Sequence, residues 1–257
     1  MKREIIPYIG ITGFTNRHDV REVLEAKSPW LMRKIMVGIL ASSRTINGET
    51  NSHPNRYPTP GQMGNIFEDH PNALNLVHFS TKNREGLFEE MVRAFNLAGP
   101  YCHGLQLNIA WPDPSVLGFF KTKAYPVTIV LQIGAGAFEM IGHSPQRLAD
   151  KIEKEYKHFI DYILLDPSGG TGKPFVPEKM RRYLQALEMK QMPIGLGVAG
   201  GVSPSTLNPL VAPLVKEFHN LSFDVETEVR DKDDHLVPRL AISVVRKAGC
   251  LFEYGAH

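Results

Sequence analysis

Short apolar runs recur along this chain, separated by longer segments with helical spacing. The runs are YIGIT (8–12), IMVGILA (35–41), ALNLVHF (73–79), GLQLNIA (104–110), VTIVLQI (127–133), YILLD (162–166), PIGLGVA (193–199) and LSFDVET (221–227). They are rich in Val, Ile and Leu and bounded by turn residues, the pattern of strands buried on both faces. Their starts lie roughly 25–40 residues apart, the length of a strand–helix unit. Between them, Ser144-Pro145 offers an N-cap and a first-turn proline ahead of a Leu148, Ile152, Tyr156, Phe159 stripe. Ser203-Pro204 repeats the device before Leu207, Leu210, Leu214 and Phe218. Thr15 or Asn16 can cap a helix presenting Val20, Val23 and Leu24, and Leu87, Met91 and Phe95 form a stripe ended by Gly99. Eight such units in 257 residues predict a single (β/α)₈ barrel domain over 1–257. A doubly wound open sheet is the rival, but no G-x-G-x-x-G follows the first strand. Residues 45–61, rich in Pro, Asn, Gly and Ser, break the rhythm as a long loop after the second strand, readable as a lid or as an ordered surface insertion.

Composition narrows the partners. The chain is 42% hydrophobic and 22% charged with a formal net charge of +2. No concentrated basic face or basic run points to nucleic acid. Two cysteines, Cys102 and Cys250, lack zinc or redox spacing and fit a reducing compartment. No apolar run approaches a membrane span and the start has no signal-peptide h-region. The expectation is a cytoplasmic protein with a small-molecule substrate, no nucleic-acid or membrane partner, no cofactor and no metal; a homodimer stays open.

The stretch ILLDPSGGTGKPF (163–175) ends an apolar run on an acid and then on glycines. It is not a phosphate loop of the Gly-Lys-Ser/Thr kind. The first glycine of that motif would fall on Pro167, and Pro174 stands where the magnesium-holding hydroxyl belongs. In a barrel the active site lies at the C-terminal strand ends. Those positions hold Thr12, Ser42-Ser43-Arg44, His78, Gln106 and Asn108, Gln132, Asp166, Gly200-Gly201, and Asp224, Glu226 and Glu228, the last three expected on one face of the eighth strand. Gly200-Gly201, just before Ser203, would leave bare N–H groups where such barrels commonly bind phosphate.

These motifs together resemble the phosphoribosylanthranilate isomerase family, a ribulose-phosphate-binding barrel of tryptophan biosynthesis. ITGFTNRHD (11–19) stands at the family's first-strand motif, and Ser42-Ser43-Arg44 at its Ser-Pro-Arg. Gln106-Leu107-Asn108 stands at its Gln-Leu-His, Leu164–Gly172 at its Leu-Leu-Asp…Gly-Gly-Thr-Gly, Ala199–Pro204 at its Ala-Gly-Gly-Leu-Ser-Pro, and 224–230 at its last strand. The resemblance implies an aldose–ketose isomerase. Asp166 would be a protonated general acid and Arg44 a clamp on the substrate's anionic or aromatic part. Gly200 and Gly201 would donate to phosphate, and Gln106, Asn108, Gly169, Gly170, Gly172 and Glu226 would complete substrate binding. Thr12 stands at the family's catalytic cysteine, Asn108 at its histidine, and Glu226-Thr227-Glu228 at its Ser-Ser-Gly. A threonine hydroxyl does not ionise usefully alone, and Cys102 precedes the fourth strand, at the opposite end of the barrel. The expectation is therefore an isomerase-like enzyme acting on a sugar or sugar-phosphate-like carbonyl compound, with altered specificity and its base supplied by Glu226, Glu228 or Asp113. Two alternatives stand beside it: a catalytically silent small-molecule-binding barrel, and a metal-dependent barrel using Asp166, Asp224, Glu226 or Glu228.

Overall fold

The computed structural model describes residues 5–124, 126–169 and 171–254. Eight parallel strands follow the chain around one closed barrel: β1 (Tyr8–Thr12), β2 (Lys34–Ser42), β3 (Ala73–Ser80), β4 (Gly104–Leu107), β5 (Thr128–Ile133), β6 (Tyr162–Leu165), β7 (Gly195–Ala199) and β8 (Ser222–Val225), with β8 closing on β1. The helices among them are α1 (Arg17–Glu25), α2 (Ser43–Ile46), α3 (Pro60–Met63), α4 (Leu87–Leu97), α5 (Pro114–Lys123), α6 (Ala135–Met140), α7 (Pro145–Lys151), α8 (Pro177–Glu188), α9 (Leu207–Val215) and α10 (Pro238–Tyr254). The expected (β/α)₈ barrel is the one found. Among the described residues, no helix is long and apolar enough to cross a membrane.

Strand alternation makes two apolar layers. Ile9, Ile11, Val37, Ile39, Val77, Leu105, Ile129, Leu131, Ile163 and Phe223 point outward and pack with the helices. Tyr8, Met36, Leu74, Leu76, Val130, Tyr162, Leu164 and Ala199 form a separate cluster inside the barrel. Moving two residues on from an inner apolar position keeps the side chain inside but carries it toward the C-terminal end. There His78, Gln132 and Asp166 follow Leu76, Val130 and Leu164, and Thr12, Gln106 and Asp224 complete a polar layer. Each of the six is less than a tenth exposed.

Local rules explain the helix starts and two departures. Asn16 caps α1 by accepting the Asp19 N–H, and Ser144 caps α7 with Pro145 in the first turn, as expected. The π-helical turn Ile152–Tyr156 then continues the predicted stripe. Ser203 caps something else. Its hydroxyl accepts from the Ser205 and Thr206 N–H groups and closes a turn, so α9 begins only at Leu207. The connection after β2 has no long helix, because prolines at 54, 58 and 60 remove the N–H donors a helix needs.

Strand ends correct two further expectations. β4 stops at Leu107, which leaves Asn108 exposed beyond it rather than inside the barrel. β8 stops at Val225 because its neighbours offer no further pairing: Ala199 ends β7 opposite Asp224, and Val225 pairs with Ile11. Glu226 and Glu228 therefore leave the strand, Glu226 just before and Glu228 within a 3₁₀ turn, Thr227–Val229. Only Asp224 of the three acids keeps the inward face.

Two strand glycines make room for the polar layer. A Cβ on Gly10 would lie 2.6 Å from Asp224 Oδ1, and one on Gly38 would lie 2.6 Å from Thr12 Oγ1. Overpacking a close site of this kind costs ~1–3 kcal/mol. Gly249 on α10 faces open space, where alanine gains up to ~1 kcal/mol of helix propensity. Urea unfolding is expected to show Gly10→Ala destabilised by ~1–3 kcal/mol and Gly249→Ala unchanged or more stable.

Candidate functional site

The C-terminal mouth of the barrel holds a cleft of about 40 Å³ lined by His78, Gln132, Asp166, the Gly200–Val202 turn, Asp224 and Glu226 among others. At the ~10–15 Å³ one water needs, that admits about three waters. Asp166 and Asp224 flank β7, which pairs with β6 on one side and β8 on the other. Hydrogen bonds join the two carboxyls across the mouth. Thr12 Oγ1 lies 3.0 Å from both Asp224 oxygens. Gln106 Nε2 donates to Asp224 Oδ2 at 3.0 Å and lies 3.2 Å from Gln132 Oε1. Gln132 Nε2 in turn donates to Asp166 Oδ2 at 2.8 Å. The other Asp166 oxygen accepts from the Ser168 hydroxyl at 2.6 Å and the Ser168 N–H at 3.1 Å.

Asp224 carries the perturbed carboxyl. Burial pushes its pKa up to about 7, the negative charges of Glu226 and Asp166 push the same way, and the Gln106 and Thr12 hydrogen bonds pull it back. His78, also buried, is lowered by desolvation and stays a neutral imidazole at neutral pH. Cys102 is far from this chemistry. Its buried thiol donates to the Gly104 carbonyl, and burial pushes its pKa up to about 12.

The expected site residues divide by position. Thr12, Asp166, Gln106, Glu226, Gly172, Gly200 and Gly201 converge on the mouth, with Thr12 and Gln106 lying just beneath the cleft wall. The N–H groups of Gly200, Gly201 and Val202 bond to no other described residue. The segment after Asp166 lies directly over them: the Phe175 N–H donates to Gly200 O at 3.3 Å, and a Cβ on Gly201 would lie 2.4 Å from Pro174 Cα. Gly169 is exposed at the edge of this segment, and Gly170 lies outside the described residues. Arg44 is exposed and away from the cleft, with its nearest hydrogen bond to Thr50 O at 3.5 Å. Asp113, weighed as a base, caps α5 through Ser115 instead.

Another arginine reaches the mouth. Arg56, in the long connection after β2, lies 3.2 Å from Glu226 and 2.7 Å from Asp234. His53 Nδ1 lies 3.1 Å from Asp234, and Asn55 donates to Asp233 O at 2.8 Å. The connection thus straps itself to the loop after β8. Arg230 sits beneath the strap and donates to the Thr12 carbonyl at 3.3 Å and to the Asp234 carbonyl at 2.8 Å. Four carboxylates line the cleft (Asp166, Asp224, Glu226 and Glu228), and among the described residues no Lys or Arg does. They do not converge at ligand spacing for a metal. Among the described residues that spacing occurs at His18, Asp19 and Glu22, on the solvent side of α1.

No family model matches the sequence, and no curated protein matches it significantly. A search of solved structures returns orotidine 5'-monophosphate decarboxylase from Methanocaldococcus jannaschii, at 12% identity and a TM-score of 0.47, covering 96% of this chain and 98% of that one.

Asp224 has a consequence for stability. Its pKa is near 3.9 in an unfolded chain and about 7 in the fold, so between these values the folded state binds more protons. Stability contributed by this group is complete below about pH 4 and is lost as pH rises toward 7. Three pKa units correspond to about 4 kcal/mol. Urea unfolding between pH 5 and 8 is expected to show a falling stability that Asp224→Asn flattens, with the variant the more stable protein at pH 8.

Proposed function

We propose that this barrel is an acid/base enzyme that moves a proton between neighbouring carbons of a small, uncharged polyhydroxy carbonyl compound, an isomerase of the aldose–ketose type. Asp224 takes the proton from the carbon beside the carbonyl and returns it to the next carbon. Asp166, across the mouth, exchanges a proton with the substrate oxygens. The observation that carries this reading is Asp224 itself: a buried carboxyl with a pKa about 7, fixed by Thr12 and Gln106 at the wall of the cleft. A general acid or base works best with its pKa near the working pH. Thr12, at the position of the family's cysteine, is then the residue that orients the base through its hydroxyl.

The substrate class departs from the family's. A phosphate dianion entering this cleft would meet four carboxylates, of which only Glu226 is paired to an arginine, and no lining cation among the described residues. The N–H groups of Gly200, Gly201 and Val202 suit a hydroxyl or carbonyl oxygen. Gly169 and Gly172 belong to the segment that would close over it. Arg44 has no part in this reading, and Arg56 holds Glu226 in the wall.

Deuterium uptake from D₂O beside the carbonyl, followed by proton NMR, tests the reaction directly. Neutral aldoses and ketoses are expected to exchange faster than their phosphate esters, with a rate that rises through about pH 7 as Asp224 ionises. Asp224→Asn is expected to lose ~10²–10⁴ of that rate. If sugars raise the melting temperature and none exchanges, the barrel is a silent binder. If the phosphate esters exchange faster, the substrate class is wrong.

A further inference from the structure

The polar layer contains a donor count that does not balance. Gln106 Nε2 carries two hydrogens and faces three acceptors: Asp224 Oδ2 at 3.0 Å, Gln132 Oε1 at 3.2 Å and His78 Nδ1 at 3.3 Å. Its own Oε1 is buried with no partner, and the residue is 0% exposed, so no solvent supplies the deficit. Turning the amide over is no remedy. It would set an amide oxygen against the Gln132 oxygen and the Asp224 carboxylate together. With Asp224 ionised and Gln132 donating to Asp166, the amide is therefore fixed in direction, and the open variable is which two of the three acceptors it serves.

Charge decides. An ionised carboxylate accepts a hydrogen bond roughly twice as strong as a neutral acceptor does. While Asp224 is ionised, one hydrogen goes there and the other goes to the Gln132 oxygen, the nearer of the two remaining acceptors. Once Asp224 is protonated, its oxygen is an ordinary acceptor, and its new proton has Thr12 Oγ1 within 3.0 Å. A Gln106 hydrogen is then released to His78 Nδ1. A neutral imidazole that accepts at Nδ1 carries its hydrogen on Nε2. His78 lines the same cleft as Asp224.

We propose that Gln106 is a positioning residue that transfers one hydrogen bond from Asp224 to His78 whenever Asp224 takes up a proton, and so fixes the tautomer of a cleft-lining histidine. The proposal rests on Asp224 as the proton-transfer group and adds a second event to that step. Removing a proton beside a carbonyl leaves negative charge on the substrate oxygen. The same proton, on reaching Asp224, settles His78 with an N–H on its far nitrogen, a neutral donor for that oxygen. The Gln132 arm runs the other way. Gln132, polarised by Gln106 through its oxygen, donates to Asp166 in both states.

The groups facing Asp224 are few. β1 brings Tyr8, a buried phenol whose pKa is raised by burial and then by Asp224 itself, and the Thr12 hydroxyl. β2 brings Met36. β3 brings His78, β4 and β5 bring the neutral Gln106 and Gln132, and β6 brings Asp166. Beyond β8 lies Glu226, paired with Arg56 and close to Arg230. Desolvation lowers the His78 pKa and burial raises that of Tyr8 well above its ordinary value, so both shifts run away from the Asp224 midpoint.

The test is a pH titration of the full chain from pH 5 to 9, with ¹³C-labelled aspartate and ¹⁵N-labelled histidine read by NMR. The His78 ring nitrogens are expected to shift from one tautomer ratio to another with the midpoint of the Asp224 carboxyl, without reaching imidazolium values. In Gln106→Met the Asp224 midpoint is expected to move to higher pH, because a donor to the ionised form is lost, and His78 loses its step. Asp224→Asn, a second variant that keeps the amide, is expected to leave His78 flat. A wild-type His78 that stays flat through the Asp224 midpoint, or one that still follows it in Gln106→Met, overturns the hydrogen-bond transfer and leaves Asp224 as the base. An Asp224 carboxyl that does not titrate in this range overturns both readings.

Discussion

A carboxylate enclosed by a closed sheet is the constraint around which this mouth is arranged. Asp224 is 5% exposed on the inward face of a barrel strand, and an ionised group there loses most of its hydration. The surrounding strands compensate in three ways. Thr12 and Gln106 donate to it from β1 and β4. Gly10 and Gly38 withhold side chains so that the donors can approach. The remaining cost is met by a raised affinity for protons. A fully compensated carboxylate would stay ionised and inert at neutral pH. A barely compensated one would stay protonated. The balance found here leaves the group able to do either, which is the property a proton-transfer residue needs.

The strap over the mouth follows from charge balance. Glu226 and Asp234 stand on the loop after β8, close to two carboxyls already in the cleft. Arg56 neutralises both from a segment that is otherwise proline-rich and without a long helix. Arg56 offsets Glu226, one of the four lining acids, and leaves Asp166, Asp224 and Glu228 without an arginine or lysine among the cleft's described lining residues. The pairing therefore holds the loop in place while the cleft keeps its acidic lining. Arg44, one turn past the end of β2, has no acid partner at the mouth and stays in solvent.

How much of this was legible in the sequence depended on the range of the interaction. The barrel was readable because strands buried on both faces read as apolar runs, and α1 and α7 because Asn16 and Ser144 act within three residues of themselves. Asp166 was readable as a strand end followed by glycines. The partnership of Thr12 with Asp224 was not, since 212 residues separate them. Gln106 and Asp224 are 118 apart, and Arg56 and Glu226 are 170 apart. One signal was available and went unused: single glycines inside YIGIT and IMVGILA mark places where another group approaches the backbone closely. The error at β8 had a different origin. Alternation of acids at 224, 226 and 228 was extended past the point where β7 and β1 stop pairing. A strand's inside–outside pattern holds only as far as its neighbours run.

The size of the cleft then bears on its chemistry. The cleft is narrow, with about 40 Å³ open to water-sized groups, so a sugar of the proposed kind would press on either the strap or the segment carrying Gly169 and Gly172. The second makes fewer polar contacts with its facing loop among the described residues. Its described contacts with the Gly200 turn are one long backbone hydrogen bond and close packing of Pro174, whereas the strap is held by two ion pairs of Arg56, a third contact from His53 and the Asn55 hydrogen bond. Yielding of the 168–175 segment exposes Gly200, Gly201 and Val202 and leaves Asp224, Gln106 and Thr12 undisturbed, because none of the three bonds to that segment. Asp166 is tied to it through Ser168. In the proposed reading, entry by this route frees Asp166 from Ser168 while Asp224 keeps its Thr12 and Gln106 hydrogen bonds.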